Sequence, residues 1–503
     1  MRFIKVTVAL LSCVTLHLQA QAQPGSGATN VTVYPLSLQE TIRFAVEHNL
    51  SLQIERYDPQ IKRFDLAGSY SDYDPTFELR GSQGFNSFPG GYNSAAGFST
   101  AANNTWSEPF SSGLGGYAPT GLRYDLNTGV TRTSGPNQFQ NQFQYRSSAS
   151  VTLTQPLLRD FWTDQRRMKI QLNKRDVRIS DLALELMIMD TATQAQKAYY
   201  DLIFARENIK VRAKALELAE RLLAENKRRV EVGTMAPLDE KQAESQAATA
   251  QADLISARNQ LAVAENVIKN LFTDEYAKWH GVRLDPTDNL VAIEEVLNLQ
   301  ESWNNGILRR PDYQSLKEEL ERKNITLRYD YNQLFPSLNL TGTVGRNGLG
   351  GSLGNAVENI RGGDFPNWVG GAVLSVPLSR TKERNQYAHG KAEKKQALLK
   401  LKKLEQDILV QVDDAVTLAK SNWERIDATR KAREFAEAAL EAEQKKLETG
   451  RSTSFTVLQL QSQLTQARSA EIQALTDYNK SIADLYSREG TILERNRISL
   501  EVK

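Results

Sequence analysis

The sequence predicts an α+β membrane protein that is internally duplicated, with four β-strands per chain continued by long coiled-coil α-helices. The helices are indicated by two stretches, 160–232 and 380–449, in which apolar residues recur at helical spacing with few interruptions. A periodic pattern that continues beyond about 25 residues is typical of coiled coils and helical repeats. The strands are indicated by four shorter stretches that alternate apolar and polar residues, as strands with one face toward lipid do. The same order of motifs occurs twice along the chain, which indicates the duplication.

The amino terminus has the pattern of a secretory signal peptide over residues 1–22. A short basic region precedes an apolar run from Val6 to Leu18, and Ala20-Gln21-Ala22 fits a cleavage site. The only cysteine of the sequence, Cys13, lies inside this segment, and its lipidation is the alternative interpretation. Cleavage after Ala22 would remove two of the 62 basic residues and leave as many as the 60 acidic ones. This balance gives no indication of nucleic acid as a partner.

The duplication relates residues 23–272 to residues 294–485. The matching segments are Leu36–Leu52 with Leu297–Tyr313, Pro75–Leu79 with Pro336–Leu340, Val151–Leu157 with Ala372–Leu378, and Arg229–Gly233 with Lys446–Gly450. Each half therefore predicts paired short helices, a strand, a loop, a strand, a very long helix, a tight turn at glycine and a shorter helix. Within the first half, the N-terminal segment 23–35 matches nothing in the second half, and the connector 273–293 and the tail 486–503 lie outside both halves.

The four predicted strands lie at about 76–85, 143–153, 336–346 and 367–377, each about ten residues long. A half-buried sheet in a soluble domain would show the same alternation. The first half carries about forty more residues between its strands than the second. These residues, about 86–141, are rich in Gly, Asn, Ser and aromatics and predict a long exposed loop. Alternation from Leu122 to Val130 leaves open an additional hairpin inside that loop.

The helices constrain the assembly. The long helices 160–232 and 380–449 are each followed by a shorter helix, at 237–271 and 454–485, and shorter helices also precede the strands. Two short helices stacked end to end approach the length of one long helix, so four helical columns would continue the four strands. Four strands are too few to close a barrel, and an open sheet edge is not tolerated in lipid. Several copies must therefore pool their strands, and three copies would supply twelve.

The sequence does not indicate an enzyme. Beyond the signal, the histidines His48, His280 and His389 lack metal-ligand spacing. The sequence contains no phosphate-binding loop, dinucleotide fingerprint or nucleophile elbow in a suitable setting. We therefore expect no catalytic residue, no cofactor and no metal. The competing interpretation is a soluble periplasmic coiled-coil scaffold or adaptor, which would explain the helices but not the strands.

Taken together, these motifs resemble the TolC-type outer-membrane efflux family over nearly the whole mature chain. The resemblance rests on Leu38–Leu50, the strand ends at Pro156 and Pro377, and the twin turns at Gly233 and Gly450. It implies a homotrimer in the outer membrane of a Gram-negative-type bacterium, with a twelve-stranded β-barrel and a long α-helical tunnel across the periplasm. The implied function is the passive exit duct of a tripartite efflux or type I secretion system. The implied partners are outer-membrane lipid, a periplasmic adaptor protein and an inner-membrane transporter.

The resemblance also implies roles for residues at the periplasmic end of the tunnel. The adaptor-docking tip would contain Gly233, Thr234, Gly450 and Arg451, and the tunnel entrance would contain Asp239, Ser452, Thr456 and Gln459. Asp239 matches an acidic gate position of the family. The two aspartates of the second half are replaced by Thr456 and Gln459, and the locking arginine maps to Ser452, so the family's closing mechanism cannot be transferred. Segments outside the repeats are expected to form a belt around the tunnel's middle.

Overall fold

The computed structural model describes residues 33–93, 97–99, 103–136 and 141–498. The signal peptide predicted at 1–22, the alternative of a lipidated Cys13 and most of the N-terminal belt segment lie outside these residues. No helix in the described ranges is both long and apolar enough to cross a membrane.

The described chain contains twelve α-helices. They are α1 (Leu38–His48), α2 (Leu50–Glu55), α3 (Tyr57–Ser69), α4 (Gln165–Glu231), α5 (Pro237–Phe272), α6 (Tyr276–Trp279), α7 (Leu299–Arg309), α8 (Pro311–Gln333), α9 (Leu353–Gly362), α10 (Thr381–Glu448), α11 (Ser454–Glu489) and α12 (Ile492–Arg495). Local signals fix several ends: the Asp164 carboxylate caps α4 by accepting from the Arg167 N–H at 2.7 Å, as short polar residues do at helix starts. Pro237 begins α5, where its missing N–H costs nothing.

Four helical columns stand side by side. The long helix α4 packs against α3 and α5 on one side and against α8 and α11 on the other, while α10 packs against α8 and α11. Helices α3 and α5 thus share one column and α8 and α11 another, with α1, α2 and α7 near mid-height. The lateral order of columns is α3/α5, α4, α8/α11, α10. At 67 and 68 residues, α4 and α10 are each about 100 Å long.

The first half of the chain forms more strands than the sequence predicted. They are β1 (Val33–Leu36), β2 (Thr76–Gly81), β3 (Gly84–Phe88), β4 (Tyr92–Asn93), β5 (Phe98–Ser99), β6 (Asn103–Tyr117), β7 (Arg123–Pro136), β8 (Asn141–Pro156), β9 (Arg283–Pro286), β10 (Ser337–Gly350) and β11 (Pro366–Ser375). The main sheet is antiparallel with the order β11-β10-β8-β7-β6-β2, and β3 pairs with β6 beyond the end of β2. Because β2 and β3 pair with successive parts of β6, they occupy one position, and the sheet has six strand positions.

The prediction of four strands per chain is therefore wrong. Strands β6 and β7 lie in residues 86–141, which the sequence predicted as a long exposed loop, and the hairpin left open at Leu122–Val130 is formed. Gly, Ser, Asn and Thr suggested a loop because these residues dominate turns. In this sheet, small and polar residues of the hairpin instead occupy its polar face, where they form an ordinary ladder.

The two faces of the sheet differ sharply in polarity. One row of mutually paired residues crosses all six positions: Phe77, Leu114, Leu126, Val151, Val344 and Trp368. The exposed fractions of these six apolar residues lie between 38% and 79%. The adjacent row points to the opposite face and consists of Glu78, Gly113, Asn127, Ser150, Gly345 and Asn367. The sheet thus presents one apolar and one polar or small-residue face.

The connector and the tail meet the helices near the middle of α4. Strand β1 pairs in parallel with β9, and fully buried Tyr199 lies beneath them. The Tyr199 hydroxyl lies 2.7 Å from the Asp288 carboxylate and 3.0 Å from the Leu36 carbonyl oxygen. Burial, followed by the hydrogen bond to Asp288, raises the pKa of Tyr199. Ile492 and Leu493 of α12 belong to a separate core cluster that contains Ile188 and Ala192 of α4.

Candidate functional site

The two glycine turns end the long helices with the same backbone conformation. Gly233 has a φ of 76° and Gly450 a φ of 74°, a left-handed conformation that favours glycine. An added side chain at either glycine would meet no atom within 4 Å. The backbone conformation, rather than crowding, therefore explains glycine at both positions.

The hydrogen bonds of the two turns also match. The Gly233 N–H donates to the Val230 carbonyl at 2.9 Å, and the Thr234 N–H donates to the Arg229 carbonyl at 2.8 Å. In the second turn, the corresponding bonds run from Gly450 to Leu447 at 3.2 Å and from Arg451 to Lys446 at 2.8 Å. This is the Schellman pattern, which satisfies the last carbonyls of a helix. The predicted tip residues therefore form a matched pair of turns.

A buried asparagine joins the two halves just inside these turns. Asn226 of α4 is fully buried, and its Nδ2 donates to the Ser454 Oγ at 2.5 Å and to the Asp239 carbonyl at 3.3 Å. The Asn226 Oδ1 has no hydrogen-bond partner within the described chain. One side chain thus connects the end of α4 to the first turns of both α5 and α11. This role of Asn226 was not predictable from the sequence, because a single asparagine in a Lys-, Arg- and Glu-rich helix carries no motif.

The second half has a different contact at the matching position. Glu443 precedes Gly450 by the same interval at which Asn226 precedes Gly233. Its Oε1 accepts from the Ser452 Oγ at 2.5 Å, and its Oε2 accepts from the Lys446 Nζ at 2.9 Å. The Ser452 hydroxyl and then Lys446 hold the pKa of Glu443 below its usual range. The contact stays within one half and does not bridge to the other.

The predicted entrance residues fall into two settings. Asp239 lies half-buried in the first turn of α5, and only its backbone contacts Asn226. The Thr456 hydroxyl lies 2.9 Å from the Thr453 hydroxyl at the start of α11, and Gln459 is exposed. The Ser452 hydroxyl donates its hydrogen bond to the Glu443 carboxylate. Within one chain, therefore, the side chains of these four residues do not form a common cluster.

Polar pairs continue the link between α4 and α11 away from the tip. The Asn208 Oδ1 accepts from the Ser469 Oγ at 3.1 Å. Nearer the middle, the Lys480 Nζ lies 2.8 Å from an Asp201 carboxylate oxygen and the Lys197 Nζ lies 2.6 Å from the Asp484 carboxylate. Asn208 is buried, whereas the lysines and aspartates of the two ion pairs are partly accessible, so each ion pair contributes modestly to stability. No group of three or more His, Cys, Asp or Glu side chains suited to a metal occurs in the described ranges.

The sequence matches a known protein family over most of its length. The model of the outer membrane efflux protein family matches residues 120–272 and 304–491. The chain belongs to the outer membrane efflux protein family. The predicted resemblance to TolC-type channels is thus confirmed, and the family consists of channels rather than enzymes. This efflux protein is an outer-membrane exit duct with a large periplasmic part, and nothing supports the alternative of a soluble scaffold.

Solved structures share the fold of this efflux protein. The outer-membrane channel OprN superposes with a TM-score of 0.67 at 16% identity, covering 90% of each chain. The CmeC outer-membrane channel of Campylobacter jejuni gives a TM-score of 0.66 at 16% identity, covering 90% of this chain and 86% of that one. VceC of Vibrio cholerae gives 0.66 at 15% identity, covering 90% and 96%. No curated protein sequence matches the chain.

Proposed function

We propose that three copies of this chain form the duct, and that its periplasmic tip receives an adaptor that couples it to an inner-membrane transporter. The observation that carries the proposal is the apolar row from Phe77 to Trp368, which crosses every strand position and is exposed in the single chain. A continuous exposed apolar surface of this kind marks contact with lipid or protein.

The edges of the sheet support assembly. In the described chain, β2 and β11 lie at opposite ends of the strand order, and each pairs on one side only. Unpaired backbone groups at membrane depth cost several kcal/mol each, so only a closed barrel is stable there. Pairing β11 of one copy with β2 of the next would close the sheet with cyclic symmetry. A trimer, which the resemblance implies, satisfies this requirement.

The polar face of the sheet and the helical columns would line a water-filled path. The row that contains Glu78, Asn127 and Ser150 has no large apolar side chain, which suits a lumen. Transport along such a path needs no bond-breaking chemistry in this chain. Energy would come from the transporter, and the duct would supply only a polar passage.

The matched turns are proposed as the docking surface for the adaptor. Thr234 and Arg451 follow the two left-handed glycines and are exposed, so a helical hairpin from an adaptor could contact both. Asn226 would hold the halves together behind them. The MtrE channel of Neisseria gonorrhoeae, which shares the fold with a TM-score of 0.62 at 17% identity, has been solved in an open state. In this chain, the proposed gate would lie among Asp239, Ser452, Thr456 and Gln459.

Site-specific photocrosslinking in the native host tests this proposal. A photoreactive amino acid replaces Thr234 or Arg451, with Leu308, which is 71% exposed on α7 far from the tip, as the matched control. We expect both tip positions, but not Leu308, to crosslink to one periplasmic protein with a long helical hairpin. Equal labelling from all three positions, or crosslinks only between copies of this chain, would refute adaptor docking at the tip.

A further inference from the structure

We propose that the barrel of this duct has eighteen strands rather than twelve, because each chain inserts the β6–β7 hairpin into the wall. The inference rests on the proposed trimer. It assigns the open edges at β2 and β11 to neighbouring copies of this chain and makes the membrane exit wider than four strands per chain would allow.

The hairpin is paired in register on both sides. Strand β6 pairs with β7 from Trp106↔Ser134 to Tyr117↔Arg123, and β7 pairs with β8 from Arg123↔Thr154 to Pro136↔Asn141. The hairpin therefore separates β2 from β8 along its full length instead of projecting above the sheet as a loop. Its apolar residues Leu114 and Leu126 continue the row that also contains Val151 of β8.

The opposite face of the hairpin is adapted to close packing. A side chain at Gly113 would lie 2.7 Å from the Asn127 Oδ1, and one at Gly115 would lie 2.9 Å from the Asp125 Oδ1. Glycines in β6 thus leave space for the polar side chains of β7. Glycine inside a strand often marks a close approach by another group, and here the approaching groups are side chains of β7.

The turn of the hairpin rests on the top of α4. The Arg166 guanidinium lies 3.4 Å from the centroid of the Tyr117 ring, and the Gln155 Nε2 donates to the Thr120 carbonyl at 3.4 Å. Gly121, with a φ of 84°, packs beside Arg167. The turn is held where the sheet meets the helical columns, which places the hairpin at the same height as the other strands.

The arc covered by four helical columns matches the arc covered by six strands. Four helices packed about 9 Å apart span about 36 Å of circumference. Six strands spaced about 4.8 Å apart span the same arc when tilted by about 37°, within the usual barrel tilt of about 35–45°. Four strands would have to tilt by about 58° to cover it. The inserted hairpin therefore lets the sheet meet the columns without a steep tilt.

At equal strand tilt, an eighteen-stranded barrel is about 1.5 times as wide as a twelve-stranded one, since barrel diameter grows roughly linearly with strand number. Barrels of 16–18 strands enclose an aqueous channel. The membrane exit would then not limit cargo size, and selection would occur at the tip or in the transporter.

Counting strands in a single-particle reconstruction of the full mature chain in nanodiscs tests the inference directly. We expect eighteen strands in a cross-section through the row of Leu126 and Val151. A trimer with twelve strands, its hairpins outside the wall, would overturn the inference and leave the duct intact. Absence of any three-fold particle would overturn the proposed function on which the inference rests.

Three arginine substitutions provide a second test. Val151→Arg lies on a strand that both barrels contain, Leu126→Arg lies on its direct partner in the hairpin, and Thr133→Arg lies on the polar face of the same hairpin strand. Arginine facing lipid opposes insertion, whereas lumen substitutions are tolerated. We expect Val151→Arg and Leu126→Arg to lower the yield of membrane-inserted trimer about tenfold and Thr133→Arg to leave it unchanged. Normal yield of Leu126→Arg beside a loss in Val151→Arg would overturn the inference.

Discussion

The two halves of the chain follow one path but differ in what joins their strands. In the second half, β10 and β11 are joined by the short helix α9. In the first half, β2 and β8 are separated by the β6–β7 hairpin, which enters the sheet itself. The helical columns remain matched, because α4 and α10 differ by one residue in length. A duplicated chain can therefore gain strands in one half without changing its helices.

At the two turns, the backbones of the halves match but the side-chain contacts differ. Their backbones are nearly identical, with Val232 at φ −87° and ψ 4° and Thr449 at φ −88° and ψ 4°. Their side chains differ: Asn226 reaches across to the other half, whereas Glu443 contacts only its own. We infer that the turn geometry is required in both halves, whereas of these two side chains only Asn226 links the two halves at the tip.

The largest effect is expected from a β-branched residue at the twin turns. Gly233→Val and Gly450→Val should each cost about 2–3 kcal/mol locally, because valine is strained at positive φ. We expect loss of adaptor crosslinking at the tip with the trimer still assembled, measured by photocrosslinking and native mass spectrometry. Gly281→Val is the matched control, since that glycine also has open space but no positive φ. Unchanged crosslinking in both tip variants would contradict the tip assignment.

The next largest effect is expected from removing the polar side chains behind the turns, Asn226 in the first half and Glu443 in the second. Asn226→Ala should destabilise the tip by about 2 kcal/mol, since it leaves the buried Ser454 hydroxyl without its partner. Glu443→Ala should have a smaller effect, because the contacts of Glu443 stay within its own half. Hydrogen exchange at the starts of α5 and α11 measures both. Equal protection in the two variants would refute the division of roles between the halves.

Two glycines inside helices should respond to alanine with opposite signs. Gly68 of α3 has open space, so Gly68→Ala should stabilise the protein by up to about 1 kcal/mol through helix propensity. A side chain at Gly390 of α10 would lie 2.9 Å from the Asp330 Oδ2 and 3.3 Å from the Leu327 Cδ1, so Gly390→Ala should destabilise the α8–α10 contact by about 1 kcal/mol. Thermal dissociation of the proposed trimer in detergent measures both, and stabilisation by both would contradict close packing at Gly390.

The smallest effect concerns the pH dependence of the same contact. Burial, and then the nearby Glu393, raise the pKa of Asp330, while His389 lowers it. A raised carboxyl pKa means that the ionised form opposes folding, so stability should fall as the pH rises from the unfolded pKa through the folded one. Asp330→Asn should match the wild type near pH 4 and be more stable at pH 7. A difference that is largest at low pH would contradict this assignment.

Sequence alone was sufficient where periodicity and glycine mark the structure. The predicted long helices at 160–232 and 380–449 differ from α4 and α10 by a few residues at the ends. The predicted end of the last helix at 485 was early, because α11 continues to Glu489 and stops at left-handed Gly490. That glycine was a readable signal.

Sequence was insufficient where local composition favours one structure and tertiary pairing favours another. The β6–β7 hairpin has the small polar composition of a loop, and only its partners β2 and β8 make it part of the sheet. The role of Asn226 could not be predicted for a related reason. Its hydrogen bonds reach residues of α5 and α11, which are distant from it in the sequence or lie beyond the turn.

Imaging the mature protein extracted in mild detergent, together with a mass measurement, would show whether copies of this chain close into a duct across the outer membrane. We expect a three-fold tubular particle whose helical part is about 100 Å long, as the length of α4 requires. A monomer or dimer that stays soluble without detergent would contradict this expectation, because the apolar face of the sheet would then never meet lipid.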